Sequence, residues 1–203
     1  SRAPRPIRRR GAALALRGNI GLPAAAKAEE TKSVSEFTTH SSDAYRHYLE
    51  GIDYKNKFFA KEAIESFRKA LSYDSTYAMA YYQLATVPNV RYFTDASTHL
   101  GWRAKAEKYA ANSSWKDQQY IKAAAAQWRN NISAYAEELD RIIERYPDEK
   151  DAWQLKGGLS TQTGRFQVAV NCFRHIVELD PTDKNAYNRL AYAFNNVGKF
   201  DSA

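Results

Sequence analysis

Residues 151–203 read DAWQLKGGLSTQTGRFQVAVNCFRHIVELDPTDKNAYNRLAYAFNNVGKFDSA, and within this stretch one pattern recurs with a period of about 34 residues. An aromatic residue, a glycine, a phenylalanine and an alanine return in the same order and at the same spacing: Trp153, Gly164, Phe166 and Ala169, then Tyr187, Gly198, Phe200 and Ala203. Such a fixed period is typical of arrays in which each unit is a pair of helices joined by a turn. The stretch therefore predicts an all-α fold of repeated helical pairs.

The same pattern is also present near the start of the array. Four early residues correspond, one by one, to four residues of the later unit: Gly51, Ala63, Phe67 and Ser75 to Gly157, Ala169, Phe173 and Pro181. Every pair is separated by three periods of about 34 residues and a surplus of about four more. We place this insertion of about four residues in the loop over residues 87–94, because Pro88 interrupts the helical pattern there.

The register divides the chain into a basic tail over residues 1–42 and a repeat array over residues 43–203. The array consists of about 4.5 units, with these approximate bounds: 44–77, 78–115, 116–149, 150–183 and an incomplete 184–203. Because the chain opens on Ser1 and stops at Ala203 early in a second helix, we expect it to be a fragment of a longer protein.

The tail carries most of the net charge of the chain. Residues 1–32 contain eight Lys or Arg and two acidic residues, a net charge of +6, while the whole chain has +7. Proline and glycine interrupt the tail without sustained periodicity, which predicts a mostly disordered linker. Its apolar stretch after residues 8–10 is too short for a signal peptide. A contact with nucleic acid or anionic lipid is an alternative that predicts salt-dependent affinity; we favour a solvated tail and no specific nucleic-acid partner.

Composition argues against membrane insertion and enzymatic chemistry. No apolar run approaches the roughly 20 residues that span a bilayer, and the single Cys172 favours a reducing, cytoplasmic compartment. That cysteine lies among apolar residues, which predicts a buried thiol. The four histidines are scattered without metal-ligand spacing, so we predict no catalytic residues, no metal and no cofactor.

The repeated residues resemble the signature of the tetratricopeptide repeat. The signature positions fall in the last two units on Trp153, Gly157, Gly164, Phe166, Ala169, Phe173 and Pro181, and on Tyr187, Leu190, Ala191, Phe194, Gly198, Phe200 and Ala203. Three positions depart from it, namely Ser75 where proline is usual, Pro88 inside a first helix and Tyr135 where a small residue is usual. The resemblance implies a right-handed α-solenoid that binds proteins and is not an enzyme.

In this family, partner peptides usually lie on the concave face that the first helix of each unit forms. Counting from the signature positions, that face has these residues: Tyr45, Tyr48, Lys55, Met79, Tyr82, Gln154, Thr161, Gln162, Asn188, Tyr192, Asn195 and Asn196. Tyrosine and asparagine suit peptide recognition, since tyrosine gives area at low entropy cost and asparagine pairs with peptide backbone. Because Asn188 and Asn195 lack matching lysines, we do not expect the lysine–asparagine clamp that some members use for a C-terminal carboxylate.

These observations predict a scaffold that binds a protein or peptide segment in its concave groove. The same residues could instead contact another part of the same protein or a capping helix. The stretch over residues 38–51 resembles the start of repeat arrays in large bacterial signalling proteins. This resemblance implies the alternative, a sensory or regulatory segment that acts on its own upstream domain, which would be a kinase, a nucleotide cyclase or a transcriptional regulator.

Overall fold

The computed structural model describes residues 39–198. These residues form nine α-helices and no strand. The helices are α1 (Ser42–Asn56), α2 (Ala60–Tyr73), α3 (Ala78–Thr86), α4 (Ala96–Tyr109), α5 (Trp115–Trp128), α6 (Ile132–Arg145), α7 (Lys150–Gln162), α8 (Phe166–Leu179) and α9 (Lys184–Gly198). One 3₁₀ turn, Val90–Tyr92, precedes α4, and another, Ala110–Asn112, directly follows it. The predicted tail lies, apart from its last four residues, outside the described residues, and so does the end of the last unit.

Consecutive helices pack as pairs, α1 with α2, α3 with α4, α5 with α6 and α7 with α8, and α9 packs on α8. Contacts between successive pairs join them into one array. The prediction of an all-α helical-repeat solenoid is therefore confirmed. Among the described residues, the core is a series of clusters along the array, and the first of them joins α1 to α5. This arrangement is expected when each unit packs mainly on its neighbours.

Short polar side chains fix where several helices begin. Ser41 accepts a hydrogen bond from the Ala44 amide, and Asp95 accepts one from the Thr98 amide. Ser114 and Asn131 cap α5 and α6 in the same manner. Each cap satisfies an amide that the first helical turn leaves without a partner. Ser41 and Asp95 therefore fix where α1 and α4 begin.

Two glycines hold the paired helices close together at equivalent positions of the first and fourth units. A Cβ atom added to Gly51 would lie 2.5 Å from Phe67 Cε1, and one added to Gly157 would lie 2.7 Å from Phe173 Cε1. Both rings are almost completely buried. The repeated sequence positions therefore make the same contact in both units, which supports the register deduced from the sequence.

The turn between units also recurs in the first and fourth units, although one copy lacks the usual proline. Asp74 Oδ1 accepts hydrogen bonds from the Thr76 amide and hydroxyl at 2.9 and 2.7 Å. Asp180 Oδ1 accepts the same two bonds from Thr182 at 3.0 and 2.6 Å. The aspartate thus closes the turn whether Ser75 or Pro181 follows it.

The predicted insertion is a structured connection. After α3 ends at Thr86, Asn89 adopts a left-handed conformation with φ 58° and the chain forms the 3₁₀ turn Val90–Tyr92. Val87 and Val90 are buried against the first core cluster. The loop predicted over residues 87–94 therefore contains a short helical turn, which two buried valines anchor.

Tyr135 occupies its atypical position without disrupting the array. Its side chain is buried beside Ala123, Ala126, Leu139 and Leu159. The two alanines lie on α5, so the small residues are on the facing helix and leave room for the ring. This exchange of large and small partners explains how the third unit keeps its packing with an altered signature.

Candidate functional site

Four successive first helices contribute to one open cavity of about 430 Å³. Tyr48 of α1, Tyr82 of α3, Tyr120 of α5 and Gln154 of α7 line it. These four residues are spaced by one repeat unit along the chain, with the insertion adding to the spacing between Tyr82 and Tyr120. They therefore occupy the same position in four consecutive units. We call this cavity the groove.

The tyrosines of the groove are held in place by their neighbours. The rings of Tyr82 and Tyr120 lie with their centroids 6.5 Å apart. Gln83 Nε2 donates a hydrogen bond of 3.3 Å to the Tyr48 hydroxyl, and the Tyr120 hydroxyl donates one of 3.1 Å to Glu149 Oε1. Burial raises the pKa of all three tyrosines, Tyr48, Tyr82 and Tyr120. The phenols are therefore neutral at physiological pH, and each presents an apolar ring with a polar end.

Charged side chains of both signs line the same groove. Lys116 Nζ lies 2.7 Å from Glu149 Oε2. Burial, and then the neighbouring Glu149 carboxylate, raise the pKa of Asp151. Burial lowers the pKa of Lys55 to about 8, and Asp151 acts in the opposite direction. The groove thus combines tyrosine rings with a partly desolvated lysine and a carboxylate, groups that can contact both side chains and backbone of a peptide.

The structure brings five of the twelve predicted groove residues into this cavity, namely Tyr48, Lys55, Met79, Tyr82 and Gln154. The other seven, which do not line it, are Tyr45, Thr161, Gln162, Asn188, Tyr192, Asn195 and Asn196. Tyr45 stacks near Tyr48, with ring centroids 6.4 Å apart, and Thr161 donates a hydrogen bond to the Gly157 carbonyl. The other five are exposed at the end of α7 and along α9. A binding role for all twelve residues stays a prediction.

Sequence reasoning missed ten residues that line the groove, among them every one from the third unit. They are Leu49, Ile52, Asn56, Gln83, Lys116, Asp117, Tyr120, Glu149, Asp151 and Leu155. The repeat register could have found Tyr120, since it stands one unit after Tyr82 and one unit before Gln154. The altered signature of the third unit, with its large Tyr135, hid that equivalence.

The remaining chemical predictions concern isolated groups. Cys172 is buried, as predicted, and burial raises the pKa of its thiol to about 11. Across the part of the chain that the structure describes, His, Cys, Asp and Glu side chains do not form groups of three or more that could hold a metal ion. Within residues 39–198, none of the helices is both long and apolar enough to cross a membrane.

Paired helices in a repeating register, with a groove along their first helices, define a helical-repeat array of the protein-interaction type. Family models of the tetratricopeptide repeat match residues 150–183 and residues 172–203. The stretch over residues 150–203 therefore contains tetratricopeptide repeats, as its residue pattern predicts, and arrays of such repeats are protein-interaction scaffolds.

Individual known proteins are similar to the chain at low identity. MamA 41-end from Desulfovibrio magneticus RS-1 matches with a TM-score of 0.46 and 16% identity, over 81% of this chain and 89% of that chain. YrrB, described as a TPR protein with an unusual peptide-binding site, matches with a TM-score of 0.43 and 20% identity, over 89% of this chain and 87% of that chain.

A curated yeast protein resembles one segment of the chain. "Essential for maintenance of the cell wall protein 1" of Saccharomyces cerevisiae is 29% identical over 73 residues. The match covers 36% of this chain and 8% of the yeast protein, so the chain corresponds to a small part of that relative.

Proposed function

We propose that the chain binds an extended peptide segment of another protein in the groove, with Tyr82 and Tyr120 as the main contacts. The observation that supports this proposal is that four consecutive first helices present the same register position to one cavity. Repeat arrays use such continuous concave surfaces to bind extended partners. Tyr82 and Tyr120 lie at the centre of the series, where contacts that exclude water contribute most to affinity.

The groove has the polar groups that an extended backbone requires. Asn56 and Gln154 end in amides, which both donate and accept hydrogen bonds and can pair with a peptide N–H and C=O. Leu49, Ile52 and Leu155 add apolar surface beside the tyrosine rings. A peptide with apolar or aromatic side chains between polar ones fits this lining.

A peptide-display selection tests the proposal without knowledge of the natural partner. Random decapeptides are selected on the full chain, and the dissociation constant of the best one is measured by fluorescence anisotropy. We expect Tyr82→Ala and Tyr120→Ala each to weaken binding at least about tenfold, since central tyrosines often contribute about 2 kcal/mol or more.

The matched control is Tyr187→Ala, which removes an exposed tyrosine of α9 that does not line the groove. It should leave the affinity unchanged, and circular dichroism should show the same helix content for all variants. If the selected peptide binds the double variant Tyr82→Ala/Tyr120→Ala as tightly as the wild type, binding does not occur in this groove.

The alternative, a regulatory segment that acts on a domain of the same protein, stays a prediction. It uses the same groove but places the bound segment in the parent chain. Peptides that tile the parent protein separate the two functions. Under the alternative, one of them should bind more tightly than any peptide from the random selection, and its binding should depend on Tyr82 and Tyr120.

A further inference from the structure

A second cavity, of about 590 Å³, adjoins the groove and shares Lys55, Tyr82, Tyr120 and Leu155 with it. We call it the basic cavity. Its other walls come from the insertion, the second helices and the end of α5, and they include Arg91, Arg103, Gln127, Trp128 and Tyr135. The insertion therefore contributes directly to a space that continues from the predicted peptide path.

Positive charges converge on the basic cavity without an acidic residue in its lining. Lys55, Arg91 and Arg103 are its ionisable cations, and none of its lining residues is Asp or Glu. Burial, and then the nearby Arg91, lower the pKa of Arg103. Like charges held together at a partly desolvated surface repel one another, and a bound anion would relieve that repulsion.

Arg103 is a cation with unused hydrogen-bonding capacity. Its guanidinium lies 5.0 Å from the centroid of the Trp128 ring, and its Nε is buried without a hydrogen-bond partner. Buried polar groups are normally paired, and this nitrogen has no partner among the described residues. A guanidinium that stacks on a ring keeps its edge available for a planar carboxylate.

Lys55 likewise makes contact only with neutral groups. Its Nζ donates to Gln83 Oε1 at 2.6 Å and to Thr86 Oγ1 at 3.0 Å. These two bonds orient the ammonium between the groove and the basic cavity without neutralising it. Asp151, in the lining of the groove, is the acidic residue whose charge acts on it.

We propose that the basic cavity binds the side-chain carboxylate of a Glu or Asp residue in the peptide that occupies the groove. This inference rests on the proposed function and specifies the chemistry of the partner, an extended peptide with an acidic residue. The carboxylate accepts hydrogen bonds from the edge of Arg103, and Arg91 and Lys55 contribute further positive charge. The cations come from the insertion, from a second helix and from the C-terminal turn of α1.

Two synthetic decapeptide pools test the inference. Both are random except at one central position, which is Glu in the first pool and Gln in the second. We expect the full chain to bind the Glu pool at least about tenfold more tightly, because charge-assisted hydrogen bonds replace neutral ones. Arg103→Gln should remove this preference, and Arg91→Gln should reduce it without affecting the fold, since Arg91 is exposed. Arg141→Gln removes an equal charge outside the cavity and should leave the preference intact.

A second measurement separates this inference from the proposed function. N-acetyl-glutamate N-methylamide, a blocked residue with one carboxylate, is titrated while the Arg103 Nε–Hε resonance is followed by NMR. A shift that the glutamine analogue does not cause supports the carboxylate site. If this shift occurs but neither peptide pool binds, only the groove proposal is overturned. Equal binding of both pools, lost in Tyr82→Ala, leaves the groove proposal standing and overturns the inference. Without binding and without a shift, both are wrong.

Discussion

Gly51 shows how one residue sets the distance between two helices. A methyl group at this position would overlap the Phe67 ring, which is fully buried. In contrast, Gly101 lies inside α4 with no atom within 4 Å of an added Cβ. The two glycines therefore serve different purposes, although both lie within helices.

This difference gives a prediction with an internal control. Gly51→Ala should lower the free energy of unfolding by about 1–3 kcal/mol, since overpacking displaces a buried ring. Gly101→Ala should raise it by about 0.5–1 kcal/mol, because alanine favours the helix and meets open space. Urea unfolding followed by tryptophan fluorescence measures both. The same sign for the two changes would contradict the close contact at Gly51.

Lys55 gives a pH-dependent prediction. Its pKa of about 8 in the folded chain is below the ordinary value of 10.5. Below pH 8 Lys55 is charged in both states, and the folded state bears the whole unfavourable effect of burying this charge. Between pH 8 and 10.5 the folded chain has lost the proton while the unfolded chain still holds it, so the free energy of unfolding rises with pH.

Lys55→Met removes that unfavourable charge. The variant should gain stability relative to the wild type most at pH 7, and the gain should shrink as pH rises through 8 to 10.5. Thermal unfolding of both proteins at several pH values measures the difference, in which the contributions of other groups cancel. A difference that does not change with pH would show that Lys55 titrates normally.

The residue pattern predicted individual contacts where side chains repeat. Gly51 and Phe67 could be predicted because Gly157 and Phe173 stand at the same spacing. The interaction of Arg103 with Trp128 could not, since neither residue belongs to the repeat signature. Contacts that each unit repeats are encoded in the period, and contacts unique to one unit are not.

At the scale of single helices, capping residues and apolar periodicity account for where helices lie. Ser41 caps the start of α1, and the buried residues of Phe166–Leu179 recur at helical spacing. The insertion was predicted less well, because its 3₁₀ turn depends on two valines that reach the core from an irregular backbone. Such tertiary anchoring leaves no helical period in the sequence.

The last described helix should be less stable than the one before it. In α9, Leu190 and Phe194 are only partly buried and Tyr192 and Val197 are exposed, whereas Phe173 of α8 is buried. We therefore expect amide hydrogen exchange to be faster in Lys184–Gly198 than in Phe166–Leu179. Mass spectrometry of the exchanged chain measures this difference. Equal protection of the two helices would mean that another surface covers α9.

At the scale of the whole array, the insertion adds surface without changing the register of the helical pairs. The helical pairs keep their register across it, because Tyr82 before it and Tyr120 after it still lie side by side. The insertion also brings Arg91 into the lining of the basic cavity. The period predicted where extra residues lie, but it could not predict which surface they would build.

The central claim, that a peptide lies along the first helices, has a direct test in hydrogen exchange of the complex. A selected decapeptide is bound to the full chain, and exchange is compared with that of the free chain. We predict increased protection in α1, α3, α5 and α7, whose residues line the groove, and no change in α2 and α8. Protection confined to the second helices, or to α9 alone, would contradict the account.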